Sequence, residues 1–192
     1  MVKFSDLAEI MRGQILHLSA DLPISHLLTD SRQAVVHPGA IFFAIKGYNH
    51  DGHQYLLELL DKGISNFVVE QSSDELPERL SRSNVISVPN CIHALQDLAA
   101  FHRSSFQIPV IGITGSNAKT IVKEWLFLLI RDRKLIKSPK RYNSQIGVPL
   151  SVWELNPSDE MAVFEAGVSH KGEMERLAPV IRPTIGIFTN IG

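Results

Sequence analysis

Cysteine is nearly missing from this chain, with a single thiol, Cys91, in 192 residues. A lone cysteine excludes an intrachain disulfide framework and any multi-cysteine zinc centre, and its expected role is that of a small buried apolar side chain. An excess of charge of one sign is lacking as well. Nineteen basic and twenty acidic side chains leave a formal net charge of −1, so no global field favours nucleic acid or an anionic membrane, and any anionic ligand must be held by local groups. No apolar run approaches the roughly 18 residues of a membrane span, and the opening MVKFSDLAEI has no secretory h-region, which predicts a cytoplasmic protein. Internal repeats and low-complexity tracts are absent too. What the chain does have is 44% hydrophobic residues, enough to fill one large core or two small ones.

Two rhythms divide it. In the first part, Ser5 is placed to cap a short helix carrying Leu7, Ile10 and Met11 and ended by Gly13. Short strands are expected between Ile24 and Ile45. A helix capped by Asp51 runs to Leu60 and stops at Lys62-Gly63, and strands follow at 66–70 and 85–88 around a polar surface excursion from Gln71 to Asn84. Asn90 then caps an amphipathic helix reaching about Ser104. The segment 104–107 is the expected domain boundary. Beyond it, strands at 108–113, 161–168 and 183–191 alternate with helical stretches, which predicts a mostly parallel α/β sheet. About three strands would leave an open edge, so the second domain is expected to be truncated.

The densest chemistry lies in Gly112-Ile-Thr-Gly-Ser-Asn-Ala-Lys-Thr120. A β-branched run precedes it, and a helix carrying Ile121, Val122, Trp125, Leu126, Leu128, Leu129 and Ile130 follows, expected to be largely buried. A loop between a strand and a helix N-terminus presents unpaired N–H groups and the positive end of the helix dipole to phosphate. Lys119 can reach the outer phosphates and the Thr120 hydroxyl can ligate Mg²⁺. The generic GxxxxGK[ST] pattern is broken twice, at Ile113 and Ala118. If position 118 needs φ > 0, alanine there costs about 1 kcal/mol or more relative to glycine.

In chain order, the blocks LTDSRQAVVHPGAIFFAIKG, DGH, GITGSNAKTIVKEW, YNSQIGVPL, FEAGVSHKGEM and TNIG resemble the Mur ligases, the ATP-dependent amide-forming enzymes of peptidoglycan precursor synthesis. The resemblance covers essentially all 192 residues. VKE after the loop and the EAGVSHKGE block are most similar to the member that adds D-alanyl-D-alanine to UDP-N-acetylmuramoyl tripeptide. The alternatives are a sibling that adds diaminopimelate or lysine, and a nucleotide-sugar-binding module without catalysis. YNSQIGVPLSVW is further similar to the form fused to an alanine racemase.

The resemblance implies a small α/β UDP-precursor-binding domain in residues 1–106, followed in 107–192 by the first part of a P-loop-type parallel-sheet ATPase domain. The acceptor-binding third domain would be missing, so the chain alone is expected to bind the UDP precursor without ligating. Ser31, Arg32 and His53 would donate to uracil or pyrophosphate, and Asn143 would contact phosphate or substrate. Gly115, Ser116, Asn117, Ala118, Lys119 and Thr120 would hold ATP, with Asn190 near the adenine. Thr120 and Glu165 would bind Mg²⁺, Lys119 and Glu165 would be the catalytic pair, and His170 would stand just behind them. In the family's reaction, the substrate carboxylate attacks the γ-phosphate of ATP, and the incoming amine displaces phosphate from the acyl phosphate. Ala118 departs from the family glycine beside the lysine, and no covalent nucleophile is in sight.

Overall fold

A computed structural model of the chain describes residues 2–48, 50–70, 76–130, 132–139 and 142–190. The beginning of the expected 71–84 excursion (71–75) and the expected strand end at 191 lie outside these residues. The chain divides into two compact units, Met1–Leu95 and Gln96–Gly192.

The first unit contains helices α1 (Phe4–Ile10) and α2 (Leu56–Asp61) and strands β1 (Gln14–His17), β2 (His26–Leu28), β3 (Ala40–Phe43), β4 (Asn66–Val69) and β5 (Asn84–Ser87). The sheet order is β1-β5-β4-β3-β2, parallel except for β1 against β5. β3 and β4 are buried along their whole length, as strands covered on both faces must be. Phe42, Phe67, Val69 and Val85 pack there with Leu56 and Leu59 of α2. Asn66 and Asn84, opposite each other in the β4–β5 register, are buried. Asn84 donates to Asn66 at 2.7 Å, Asn66 donates to Ala40 O at 2.7 Å, and Asn84 Oδ1 accepts from Ser19 N–H at 2.7 Å. A buried amide pair with such complete hydrogen bonding is stable in a low dielectric.

Helix ends in this unit differ from expectation. Ser5 does not cap α1 but lies inside it, with its N–H and hydroxyl donating to Asp21 at 2.9 and 3.1 Å. Asp6 closes the helix start by accepting from Lys3 N–H at 3.2 Å. After α1 it is Arg12 that turns left-handed, φ 54°. Gly13 serves close approach instead, since a Cβ there would lie 2.6 Å from Ser87 O. Asp51 caps a 3₁₀ turn, Gly52–Tyr55, with α2 beginning only afterwards.

The division between the units falls inside α3 (Cys91–Ser104), whose second half belongs to the later core: Ala99 packs there, and Arg103 donates to Ile181 O at 3.0 Å and Phe106 O at 2.7 Å. The second unit continues with β6 (Val110–Thr114), α4 (Lys119–Leu129), β7 (Leu135–Lys137), α5 (Gly147–Trp153), β8 (Met161–Glu165), α6 (Glu173–Ile181) and β9 (Ile185–Phe188). Its sheet is parallel, in the order β7-β8-β6-β9. β7, too short to show a period, is a fourth strand beyond the three expected.

Alternation along β6 and β8 feeds two cores. Val110, Ala162 and Phe164 face Val148, Val152, Leu177 and Val180, while Ile111, Ile113 and Val163 face Val122 and Leu126 of α4 and Ile130 at its C-cap. The largely buried α4 that the composition suggested is corrected here. One stripe at i, i+4, i+8 (Val122, Leu126, Ile130) packs, whereas Trp125 and Leu129 are 63% and 79% exposed, because a single sheet face covers only one side of a helix.

Candidate nucleotide site

β6 ends at Thr114 and α4 begins at Lys119, so the four residues between them are the loop. Gly115 has φ 135°, and a Cβ there would collide with Thr189 Oγ1. Ala118 is the N-cap of α4 at φ 63°, ψ 1°, so this position does require the left-handed conformation that glycine adopts without strain. Its carbonyl accepts the first helical bond, from Val122 N–H at 3.0 Å.

The loop is braced by the two residues that follow β9. Ser116 N–H donates to Asn190 O at 2.9 Å, and Asn117 N–H donates to Asn190 Oδ1 at 2.9 Å. Thr189 Oγ1 donates to Asn117 O at 2.5 Å, and Thr189 N–H donates to Thr114 O at 3.0 Å. Asn190, expected beside the adenine, is thus bonded to the loop itself. Lys119 folds back over the loop, its ammonium donating to Gly115 O and, at 3.3 Å, to Ser116 O.

Thr120 and Glu165, 45 positions apart, are brought together: the Thr120 hydroxyl donates to Glu165 Oε2 at 3.0 Å. Parallel pairing of β6 with β8 sets Ile113 opposite Glu165, so the end of β8 faces the start of α4. Glu165 is only 3% exposed, and its second oxygen, Oε1, meets the ammonium of Lys123 at 2.6 Å, with Lys123 fully buried. Lys123 also donates to Ser138 O at 2.8 Å, and Ser138 Oγ accepts from Glu165 N–H at 3.3 Å. Sequence reasoning used Lys123 only as part of the VKE wording and overlooked Ser138. The available signal was the i, i+3 spacing of Thr120 and Lys123, which puts them on one helix face. A carboxylate oxygen and a hydroxyl are hard donors suited to Mg²⁺.

Asn143 lies next to this strand end, its carbonyl accepting from Gly167 N–H at 2.7 Å. His170 N–H and Ser169 N–H donate to Glu173 Oε2 at 3.0 and 2.6 Å. Those two bonds hold the Glu173 carboxyl below its ordinary range. The His170 residue itself is exposed.

In the first unit, Asp30 organises the turn that carries Ser31 and Arg32. Its carboxylate accepts from Arg32 Nη2 at 2.7 Å, Nε at 2.9 Å and the backbone N–H at 3.0 Å. The guanidinium bond and then that N–H pull its pKa down to about 2. Ser31 is buried and Arg32 is exposed. His53 is turned inward: its side chain is 7% exposed, with Nδ1 2.6 Å from Asp51 Oδ1 and Nε2 accepting from Glu70 N–H at 2.9 Å. Both ring nitrogens are therefore engaged within the protein. Electrostatic coupling of Asp30 with His50 and of Arg32 with Tyr55 makes the two turns neighbours, and His50 stacks on Tyr55 with ring centroids 5.3 Å apart. That stacked pair was not legible in the sequence. Cys91 is buried, donates to Val68 O at 3.4 Å, and has its thiol pKa pushed far up by burial, an unreactive environment.

Comparison with known proteins agrees with this layout. The model described as "Mur ligase family, catalytic domain" matches residues 23–103, and "Mur ligase middle domain" matches 113–192. The UDP-N-acetylmuramoyl-tripeptide–D-alanyl-D-alanine ligase of Synechocystis sp. is 34% identical over 179 residues, covering 93% of this chain and 38% of the relative. The enzyme of the same name from Bacillus subtilis is 31% identical over 189 residues, covering 97% and 40%. Among solved structures, MurF from Acinetobacter baumannii superposes with a TM-score of 0.85 at 28% identity, over 98% of this chain and 40% of that one. MurF from Thermotoga maritima in complex with ADP gives 0.75 at 28% identity, over 87% and 38%. The chain thus spans about two fifths of the length of these relatives. No helix among the described residues is long and apolar enough to cross a membrane. With the loop, the two residues that brace it and the buried carboxylate in the arrangement described, and with two consecutive Mur ligase domain models matching from residue 23 to residue 192, this chain belongs to the Mur ligase family.

Proposed function

We propose that this chain forms the UDP-precursor-binding part (residues 1–106) and the nucleotide-binding part (107–192) of an ATP-dependent ligase. The ligase would join D-alanyl-D-alanine to UDP-N-acetylmuramoyl tripeptide, in the cytoplasm. The observation that carries the reading is the meeting of Thr120 Oγ1 and Glu165 Oε2 at 3.0 Å at the N-terminus of α4, directly after a loop over whose carbonyls Lys119 is folded. The relatives named above carry that activity in their names, and one neighbour was solved with ADP.

Thr120 and Glu165 would hold Mg²⁺, which supplies charge neutralisation on the phosphate oxygens when bound. Lys119 would leave its contacts with Gly115 O and Ser116 O and donate to the transferring phosphate, positioning it and offsetting its developing charge. The loop N–H groups of Ser116 and Asn117 would exchange Asn190 for phosphate oxygens. In the first unit, Ser31 and Arg32 would face the uridine diphosphate, with His53 holding the 51–70 segment in shape through Asp51 and Glu70. Asn143, beside Gly167, would border the tripeptide carboxylate.

Calorimetric titration of the protein with Mg·ADP tests the nucleotide site. Binding is expected in the wild type and at least about tenfold weaker in Lys119→Ala and in Glu165→Gln, a loss of roughly 1.4 kcal/mol or more. Equal affinity in all three proteins would refute the site. For the ligation, the complete gene product is given ATP, UDP-N-acetylmuramoyl tripeptide and D-alanyl-D-alanine, and phosphate release is followed. Release only when diaminopimelate or lysine replaces the dipeptide, with the dipeptide-linked precursor, would refute the acceptor assignment.

A further inference from the structure

We propose that Lys123 is a positioning residue that keeps Glu165 charge-compensated until nucleotide arrives, so that the site takes a divalent cation only together with phosphate. The proposal rests on the reading of Glu165 as the cation ligand and adds a residue and an order of binding to it.

The two carboxylate oxygens of Glu165 have separate fates. Oε1 is 2.6 Å from the ammonium of Lys123, and Oε2 accepts from Thr120 at 3.0 Å. Neither partner of the ion pair has freedom to leave: Lys123 is 0% exposed and also bonded to Ser138 O at 2.8 Å, while Glu165 is 3% exposed with its N–H on Ser138 Oγ. One oxygen of the carboxylate is therefore committed, and the rotamer that aims the other at Thr120 is locked. The charges of Glu165 and Lys123 cancel, and Lys119 adds a positive charge on the loop beside them.

A bare divalent ion arriving there meets one available carboxylate oxygen, one hydroxyl and a local charge that is not negative. Among the described residues no group of three or more acidic, histidine or cysteine side chains could hold a metal, so the rest of the coordination shell must come from water and phosphate, as Mg²⁺ commonly arranges. Because Lys123 and Glu165 are themselves withdrawn from solvent, the ammonium's repulsion of an ion at Oε2 is screened less than at a surface, and only the negative charge of a polyphosphate reverses that balance. If Lys123 were present simply to fill space, its removal would weaken cation binding by loosening Glu165. If it compensates charge, its removal strengthens binding of the bare ion. The two roles differ in sign.

Mn²⁺ is the probe, with free Mn²⁺ counted by electron paramagnetic resonance in the presence and absence of ADP, alongside the melting temperature at each Mn²⁺ concentration. Wild type and Lys123→Arg are expected to bind bare Mn²⁺ roughly tenfold or more weakly than Mn²⁺ with ADP, with no rise in melting temperature from the ion alone. Lys123→Met is expected to bind bare Mn²⁺ roughly tenfold or more tightly than wild type, and to melt higher as Mn²⁺ is added. Wild type binding bare Mn²⁺ as tightly as Mn²⁺ with ADP overturns the proposal, and this comparison decides the matter even where Lys123→Met does not fold. A folded Lys123→Met with unchanged or weaker affinity for the bare ion overturns it as well. Glu165→Gln separates the two levels: if it binds Mn²⁺ with ADP as wild type does, the ligand reading of Glu165 has failed, and if it does not, a negative Lys123 result counts against the Lys123 proposal alone.

Discussion

Replacing Ala118 by glycine should stabilise the second unit, and the size of the gain follows from its backbone. Ala118 sits at φ 63°, ψ 1°, where an L side chain costs about 1–2 kcal/mol. The position is fixed from both sides, by the helical bond from Val122 N–H to Ala118 O and by the loop bonds to Asn190, so the strain is not relieved by a shift. Glycine removes it but gives the unfolded chain more freedom to lose, about 0.5–1 kcal/mol. At the middle of each range the expected net stabilisation is about 0.8 kcal/mol, or roughly 2–3 °C in melting temperature for a chain of this size. Both tryptophans, Trp125 and Trp153, lie in the second unit, so urea unfolding followed by tryptophan fluorescence reads this unit without interference from the other. A midpoint that stays put or moves to lower urea at unchanged slope would refute the argument that the loop stores strain at this residue.

Gly13→Ala is expected to destabilise the first unit by about 2 kcal/mol or more, read by circular dichroism in urea, because its Cβ would lie 2.6 Å from Ser87 O and 2.8 Å from two buried side-chain carbons. His53→Ala should lower stability by about 1–3 kcal/mol in the absence of any ligand, since it leaves Asp51 and the Glu70 N–H without their bridge; a ligand-binding histidine with no bracing role would leave the melting temperature unchanged. Asp30, whose pKa is lowered to about 2, contributes stability that is fully present above the ordinary carboxylate range near 4 and lost as pH falls toward 2. Carboxyl NMR titration should find Asp30 protonating near pH 2 in wild type and moving up in Arg32→Ala, and an unmoved titration would show that Arg32 is not the cause.

The local signals in the sequence were those whose cause is also local. The β-branched run before Gly112, the alternation of strand and helix after it, and the lysine and threonine opening α4 depend on neighbours a few residues away. They were enough to read a parallel α/β sheet with a loop leading from a strand into a helix N-terminus. The Mur wording supplied Glu165 as the partner, and the structure supplies the reason the two meet: β6 and β8 pair in parallel, which sets Ile113 opposite Glu165 and brings its carboxylate to Thr120.

Other features depended on distance in space. Trp125 and Leu129 look like core in a list of residues, but only the stripe of α4 that the sheet covers is buried, and they lie off it. His53 has the chemistry of a ligand donor, yet the return of the chain at Glu70 takes its remaining nitrogen. Lys123 reads as a solvated helix lysine until Glu165 and Ser138 close around it from β8 and the segment after β7. The sequence by itself determined the secondary-structure rhythm, the loop and the family, because periodicity and short motifs act through adjacent residues. Which charges are buried, which nitrogens are spent and which partner each carboxylate oxygen meets were decided only by the tertiary structure, because each depends on groups that the chain separates and the sheet brings together.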